Sequence, residues 1–249
     1  MIRAAVSSLA LIVAASALHA ATPSAIDSAI ADTTRPAADR DRDAERKPAE
    51  MLAFAGVKPG MVVIDMIPGG GYFTRLFSDV VGPTGKVVAY APDEFLAKYA
   101  KALNGATAVA AEPNHKNVQI LHDPALAPGP ANIADVVWTS QNYHDLHNIA
   151  GLDLVAFNKV LYGIVRPGGV YVVLDHSAPA GSGAADTDTL HRIDEATVRK
   201  EVEAAGFVFD GESKVLANPA DPRTVKVFDP SIRGHTDQFI LRFRKPGGK

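Results

Sequence analysis

Short apolar runs alternate with amphipathic segments along most of this chain, and that alternation restricts the fold more than any other feature. Residues 61–67 (MVVIDMI), 86–91 (KVVAYA), 117–122 (NVQILH), 134–140 (ADVVWTS) and 170–175 (VYVVLD) read as strands. Residues 48–55, 72–81, 93–103, 152–165 and 194–205 carry apolar residues at helical spacing. Strands that are apolar on both faces and separated by helices form a parallel sheet covered on each side. The rhythm breaks at the end, where two strand-like runs, 207–216 and 238–244, are joined by a polar loop with no helix, which predicts antiparallel pairing. The expected fold class is therefore α/β: a doubly wound, mostly parallel seven-stranded sheet with an antiparallel C-terminal hairpin.

The amino terminus does not belong to that pattern. Arg3 is its only charge, an apolar stretch runs from residue 4 to about 18, and small residues surround Ala20 and Ala21. This is the layout of a secretory signal peptide, with an apolar core shorter than the ~20 residues that span a bilayer. Residues 1–20 are expected to be a signal peptide, 21–45 a linker and charged lead-in, and 46–249 the folded domain, with a periplasmic or secreted location. The absence of cysteine agrees with export and excludes disulfide, thiolate and Cys-ligated metal chemistry. The net charge is −3 and the basic residues are scattered, so neither nucleic acid nor a membrane surface is an expected partner. The expected partner is a small molecule.

Between the first strand and its helix lies Pro68-Gly69-Gly70-Gly71. In a doubly wound sheet this loop sits at the carboxyl end of the strands, where glycine lets a ligand approach the backbone and the next helix offers free N–H groups. A phosphate-cradling loop would end in Gly-Lys-Ser/Thr, but Tyr72 follows Gly71. A dinucleotide fingerprint needs a third glycine where Thr74 stands. The pattern acid-x-Gly-x-Gly-x-Gly is met by Asp65, Gly69 and Gly71, with Ile67 at the first glycine position. For Asp65, capping the following helix is an alternative role.

Taken together, VKPGMVVIDMIPGGGYFTRLF, NYHDLHN, RPGGVYVVLDHSA and HRIDEATVRKEVEAAGF resemble the class I S-adenosylmethionine-dependent methyltransferases, over roughly residues 46–245. More narrowly they resemble an exported proteobacterial group of methyltransferases. The resemblance implies the Rossmann-like methyltransferase fold and S-adenosyl-L-methionine as cofactor. It implies that Asp65, Pro68, Gly69, Gly70 and Gly71 line the methionine end, that a ribose-binding acid falls near Asp93, and that Asp123 meets the adenine. Tyr143 is a candidate for stacking on cofactor or acceptor.

The methyl acceptor should lie over the ends of the fourth and fifth strands, where His144, His147, His176 and His191 gather. His144, Asp145 and His176 are the candidate catalytic residues, since a base is needed if the acceptor must lose a proton. No metal ligand is assigned, although Asn142, Asp145, Asp175 and His176 could alternatively hold a divalent ion. The expected function is methyl transfer to a small-molecule acceptor. A non-catalytic periplasmic binding protein on the same fold is the alternative, and an NAD(P)-dependent oxidoreductase is disfavoured by the missing glycine and the terminal hairpin.

Overall fold

The computed structural model describes residues 24–127 and 129–247, so the expected signal peptide lies outside the described residues. Four helices open the chain: α1 (Ala25–Ala31), α2 (Ala37–Arg40), α3 (Asp43–Arg46) and α4 (Pro48–Ala55). They are followed by β1 (Val62–Met66), α5 (Tyr72–Val81), β2 (Lys86–Pro92), α6 (Asp93–Lys98), α7 (Asn104–Ala111), β3 (Val118–Asp123) and β4 (Ala134–Ser140). Then come α8 (Tyr143–Leu146), α9 (Leu154–Ile164), β5 (Val165–His176), α10 (Glu195–Ala204), β6 (Val208–Ser213) and β7 (Gln238–Arg244).

The seven strands form one sheet in the order β3-β2-β1-β4-β5-β7-β6. β1 through β5 pair in parallel, and β7 runs antiparallel to both β5 and β6. This is the doubly wound sheet with a C-terminal hairpin that the sequence predicts. Strand order reverses between β1 and β4, and the carboxyl ends of those two strands are where such sheets place their ligands.

Strand residues alternate between two cores. Ile64, Met66, Val137, Tyr171 and Val173 face α9 and α10 through Phe157, Leu161, Val198 and Val202. Val63, Val136, Trp138, Val172 and Leu174 face the other side, against Phe73, Leu76, Phe77 and Val80 of α5. The Trp138 ring lies 4.8 Å from that of Phe73 and 5.6 Å from that of Phe77, which fixes α5 over β4 and so sets the position of the loop between β1 and α5. Among the described residues no helix is long and apolar enough to cross a membrane.

The expected linker is a correction. From Ala25 onward it carries the three helices α1 to α3 and packs on the domain. Ser24 and Asp27 form a reciprocal capping box at the start of α1, and Ala29 is buried against the core that holds α5. The Arg35 guanidinium, 3% exposed, makes a two-pronged contact of 2.8 Å with Asp43, which also accepts a 2.6 Å bond from the Tyr72 hydroxyl. That network ties the lead-in to the first turn of α5. A second difference is α7, which stands where the sequence shows no helical face: only Ala106 and Val109 of its residues are buried.

Candidate active site

A cavity of ≈ 360 Å³ opens at the carboxyl ends of β1, β4 and β5, and a second of ≈ 460 Å³ adjoins it. Arg42, Arg46, Phe73, Ser140, Gln141, His176 and Phe228 line both. Two segments roof the site: the helical lead-in, through Arg42 and Arg46, and the loop joining β6 to β7, through Val227, Phe228 and Arg233. That loop is anchored by a fully buried pair, Arg192 and Asp221, at 2.8 Å.

The floor is the glycine loop. Ile67, at the first glycine position of the motif, has φ 56°, the left-handed conformation that a β-branched residue rarely takes. The departure in sequence thus keeps the glycine backbone geometry while adding a buried side chain. Ile67, Gln141 and His191 all have positive φ and all line this one cavity. Strain of this kind collects where ligands are held.

The three glycines divide in role. A Cβ on Gly69 or Gly70 would meet nothing within 4 Å, and both residues line the cavity. Gly71 instead packs on α7: a Cβ there would fall 2.9 Å from the Gly105 carbonyl, and one on Gly105 would fall 2.2 Å from the Gly70 carbonyl carbon. Gly71 is thus required by the packing of the loop on α7 and stands off the cavity lining, and its partner Gly105 had no signal in the sequence.

Asp65, next to the last residue of β1, is 3% exposed and lines the cavity. Its carboxylate accepts a 2.6 Å bond from the Thr74 hydroxyl, which also makes it a brace for the first turn of α5. Burial pushes its pKa up to about 7, against the Thr74 bond and the Arg46 charge, which pull it down. Arg46 donates a 2.9 Å bond to the Gln141 side chain and stacks over Tyr72 and Phe73; desolvation lowers its guanidinium to about 10. The Ser140 hydroxyl is buried on the same wall with no hydrogen-bond partner in the protein. Sequence reasoning missed Arg46 and Ser140, the first because it stands at the very edge of the expected domain, in a charged run with no motif around it.

Other expected cofactor residues are elsewhere. Asp93 pairs with His122 at 2.7 Å on the surface, and Asp123 is exposed and borders a different hollow. Tyr143 cannot stack on a ligand: it is fully buried, donates to Glu201 at 2.8 Å and accepts from Asn158 at 2.8 Å. Pro68 lines the cavity as expected.

His144, Asp145 and His176 do meet at the cavity wall, joined by His191. Asp175, wholly buried, receives three N–H groups: His144 Nδ1 at 2.8 Å, the His144 backbone at 2.7 Å and the His176 backbone at 2.8 Å. Burial would raise its carboxyl, but the His144 charge and these bonds outweigh that and hold it below its ordinary value. His144 is the mirror case. Burial would lower its imidazole, yet Asp175 and Asp145 carry it above its usual value. The His144 Nε2 atom is 3.2 Å from His191 Nδ1 and 3.5 Å from Asp145 Oδ1, and His191 Nδ1 is 3.6 Å from the same oxygen.

His176 differs. Burial drives it down to about 3, its Nδ1 bonds the Thr236 hydroxyl at 2.8 Å, and it is a neutral hydrogen-bonding group and a weak base. His147 pairs with Glu201 at 3.2 Å, and it does not line the cavity. The alternative oxygen-rich metal set does not assemble either. Asn142 donates to the Ile67 and Ser140 carbonyls, and Asp175 and His176 are committed as described.

Sheet order, hairpin and cavity position together define a Rossmann-like methyltransferase fold. No family model matches the chain. It is 28% identical over 192 residues to the ubiquinone/menaquinone biosynthesis C-methyltransferase UbiE of Ectopseudomonas mendocina, an alignment covering 77% of this chain and 65% of that protein's length. Among solved structures it is similar to a SAM-dependent methyltransferase from Aquifex aeolicus, with TM-score 0.59 and 21% identity over 84% of this chain and 95% of that one. It is also similar to the [4+2]-cyclase SpnF, with TM-score 0.57 and 18% identity over 85% of this chain and 82% of that one. These structural likenesses concern the fold, which hosts more than one reaction.

Proposed function

We propose that the chain is an S-adenosylmethionine-dependent methyltransferase acting on a small-molecule acceptor. The observation that carries this reading is the open backbone of Gly69 and Gly70 beside buried Asp65, the Arg46 guanidinium and the buried Ser140 hydroxyl, at the switch point of a methyltransferase-like sheet. When bound, the cofactor supplies a methyl group on a sulfonium that is already activated, so the protein's part is positioning. Asp65 would accept from the ammonium of a methionine-like end, and Arg46 would donate to its carboxylate. Gly69 and Gly70 give the room to approach. Across the cavity, Asp175 holds the Nδ1 proton of His144, so that Nε2, which meets only His191 Nδ1 at 3.2 Å and Asp145 Oδ1 at 3.5 Å, would take a proton from a hydroxyl or thiol acceptor. His176 holds an acceptor oxygen by hydrogen bond.

The named relatives methylate carbon in ubiquinone/menaquinone biosynthesis. Here the adjoining cavity carries Arg42, Arg46 and Arg233, a lining that suits an acceptor with an anionic group. The position of Asp93 and Asp123 outside the cavity favours a second reading, a non-catalytic binding protein that kept only part of the nucleoside pocket.

Calorimetric titration with S-adenosylmethionine, S-adenosylhomocysteine and NAD separates the readings. Binding of the two sulfur ligands supports the first, and no binding at millimolar concentration sinks it. From the amino-terminal pattern we further propose export to the periplasm, in line with the narrower resemblance to exported proteobacterial methyltransferases. Cell fractionation that finds only full-length cytosolic protein would refute that.

A further inference from the structure

Three ligand-type atoms on the cavity wall form a nearly equilateral triangle. Its edges are 3.2 Å from His144 Nε2 to His191 Nδ1, 3.5 Å from His144 Nε2 to Asp145 Oδ1, and 3.6 Å from His191 Nδ1 to Asp145 Oδ1. A tetrahedral ion with bonds of about 2.0–2.1 Å sets its ligand atoms ~3.3–3.4 Å apart. An octahedral ion with the same bonds would bring neighbouring ligands to ~3 Å, closer than any of these edges.

Hydrogen bonding accounts for one edge only: His144 Nε2 and His191 Nδ1 are within hydrogen-bond reach at 3.2 Å, while both stand 3.5–3.6 Å from Asp145 Oδ1. Asp175 takes the Nδ1 side of His144, so in the neutral ring the Nε2 lone pair faces a carboxylate oxygen. In the protonated ring, a charge-assisted bond to Asp145 should be about 2.7–2.9 Å, and the observed separation is 3.5 Å. A fully buried carboxylate on the far nitrogen is, in contrast, the arrangement that fixes the ring of a metal-bound histidine. The third corner is held with backbone strain: His191 sits at φ 56°, between Arg192, whose guanidinium is locked to Asp221, and the loop that carries Leu190. Tyr99 donates to Asp145 at 3.3 Å and orients the carboxylate.

We propose that His144 Nε2, His191 Nδ1 and Asp145 Oδ1 bind a divalent first-row transition-metal ion, zinc by preference. All three side chains line the cavity, so the position left free by the protein opens onto it. Two imidazoles and one carboxylate suit zinc or cobalt and not magnesium, which takes oxygen ligands. Ion and proton compete for one lone pair on His144. With the ion bound, an acceptor oxygen would be held and polarised by the metal in place of being deprotonated by the free ring. The site does not depend on the methyl-transfer reading, because its binding is measured with metal alone.

The test uses the tag-free protein, stripped with a chelator and dialysed. Zn²⁺ is titrated by calorimetry and Co²⁺ is followed by visible absorption, both without any sulfur ligand. One ion per chain is expected, with the intense cobalt bands of a tetrahedral site. His191→Ala and Asp145→Asn should each weaken binding by more than about 10-fold, and Asp175→Asn by about 10–100-fold. His115→Ala is the control, since that ring meets Asp79 and Glu112 through opposite nitrogens and its contacts do not converge. The His191 side chain is 19% exposed, and the unfolding temperature of each metal-free variant checks that it folds. Absence of stoichiometric zinc binding, zinc affinity unchanged in a folded His191→Ala, or a pale octahedral cobalt spectrum would each overturn the proposal.

Discussion

Asp65→Asn should change how stability depends on pH, and the structure sets both the sign and the size. Burial lifts the Asp65 carboxyl from 3.8 in the unfolded chain to about 7 in the folded one. Between those values the folded protein binds a proton that the unfolded chain has released, so stability falls as pH rises and levels off above 7. The span is about 3 pH units, and at 1.36 kcal/mol per unit the total is about 4 kcal/mol. An asparagine keeps an oxygen for the Thr74 hydroxyl and never ionises. Urea denaturation of both proteins from pH 4.5 to 8.5 should therefore show Asp65→Asn gaining on the native protein as pH rises, by several kcal/mol at the top of the range. A ligand ammonium beside Asp65 would favour the carboxylate, so binding near pH 6 should release protons and its calorimetric heat should depend on the buffer. A pH-independent difference between the two proteins, or an Asp65→Asn protein that is the less stable at pH 8, would refute the reasoning.

Other substitutions separate fold from site. Gly70→Ala adds a methyl into open cavity space without strain, so unfolding temperature should hold while affinity for S-adenosylhomocysteine drops at least 10-fold by calorimetry. Gly105→Ala should do the reverse and cost stability, because its Cβ would collide with the Gly70 backbone; thermal unfolding reads this directly. Arg46→Gln should weaken the same ligand by about 10–100-fold, the loss of a charged hydrogen bond worth roughly 1.5–3 kcal/mol. Arg192→Ala strands the buried Asp221 and should cost about 3–5 kcal/mol in urea denaturation, with protease sensitivity appearing in the loop between β6 and β7.

How much of this was legible in the sequence follows from which forces are local. β4 and β7 match their predicted bounds, and the other strands lie within a few residues at all but one end. A strand covered on both faces needs an apolar centre, and Val136-Val137-Trp138 and Phe239-Ile240-Leu241 supply one, with the polar residues near the strand ends. The exception is β5, which begins at Val165, immediately after α9, where Arg166-Pro167-Gly168-Gly169 reads as a helix stop. The lead-in differs from its linker reading because α1 to α3 are held to α5 by the Asp43–Tyr72 bond, across 29 residues, and by burial of Ala29, neither of which a local pattern encodes.

At the site, Asp65 was placed by its position near the end of the first strand, and Gly69 and Gly70 by theirs just after it. The histidines were placed as a group. Their division of labour was not legible, because it depends on which ring nitrogen Asp175 holds and on the left-handed turn that brings His191 back across 47 residues to His144. Asp93 and Asp123 match the family pattern by position only, and Tyr143 stood as a stacking candidate by its place after a buried strand. Asp93 pairs with His122, Asp123 ends β3 exposed and outside the cavity, and Tyr143 is held by Glu201.

The central claim is that the cavity over Gly69 and Gly70 takes S-adenosylmethionine. A crystal structure of the protein with S-adenosylhomocysteine tests it most directly. The account predicts ligand density against the Gly70 backbone, with the amino group on Asp65 and the carboxylate on Arg46. Density elsewhere in the molecule, or none at saturating ligand, would contradict it.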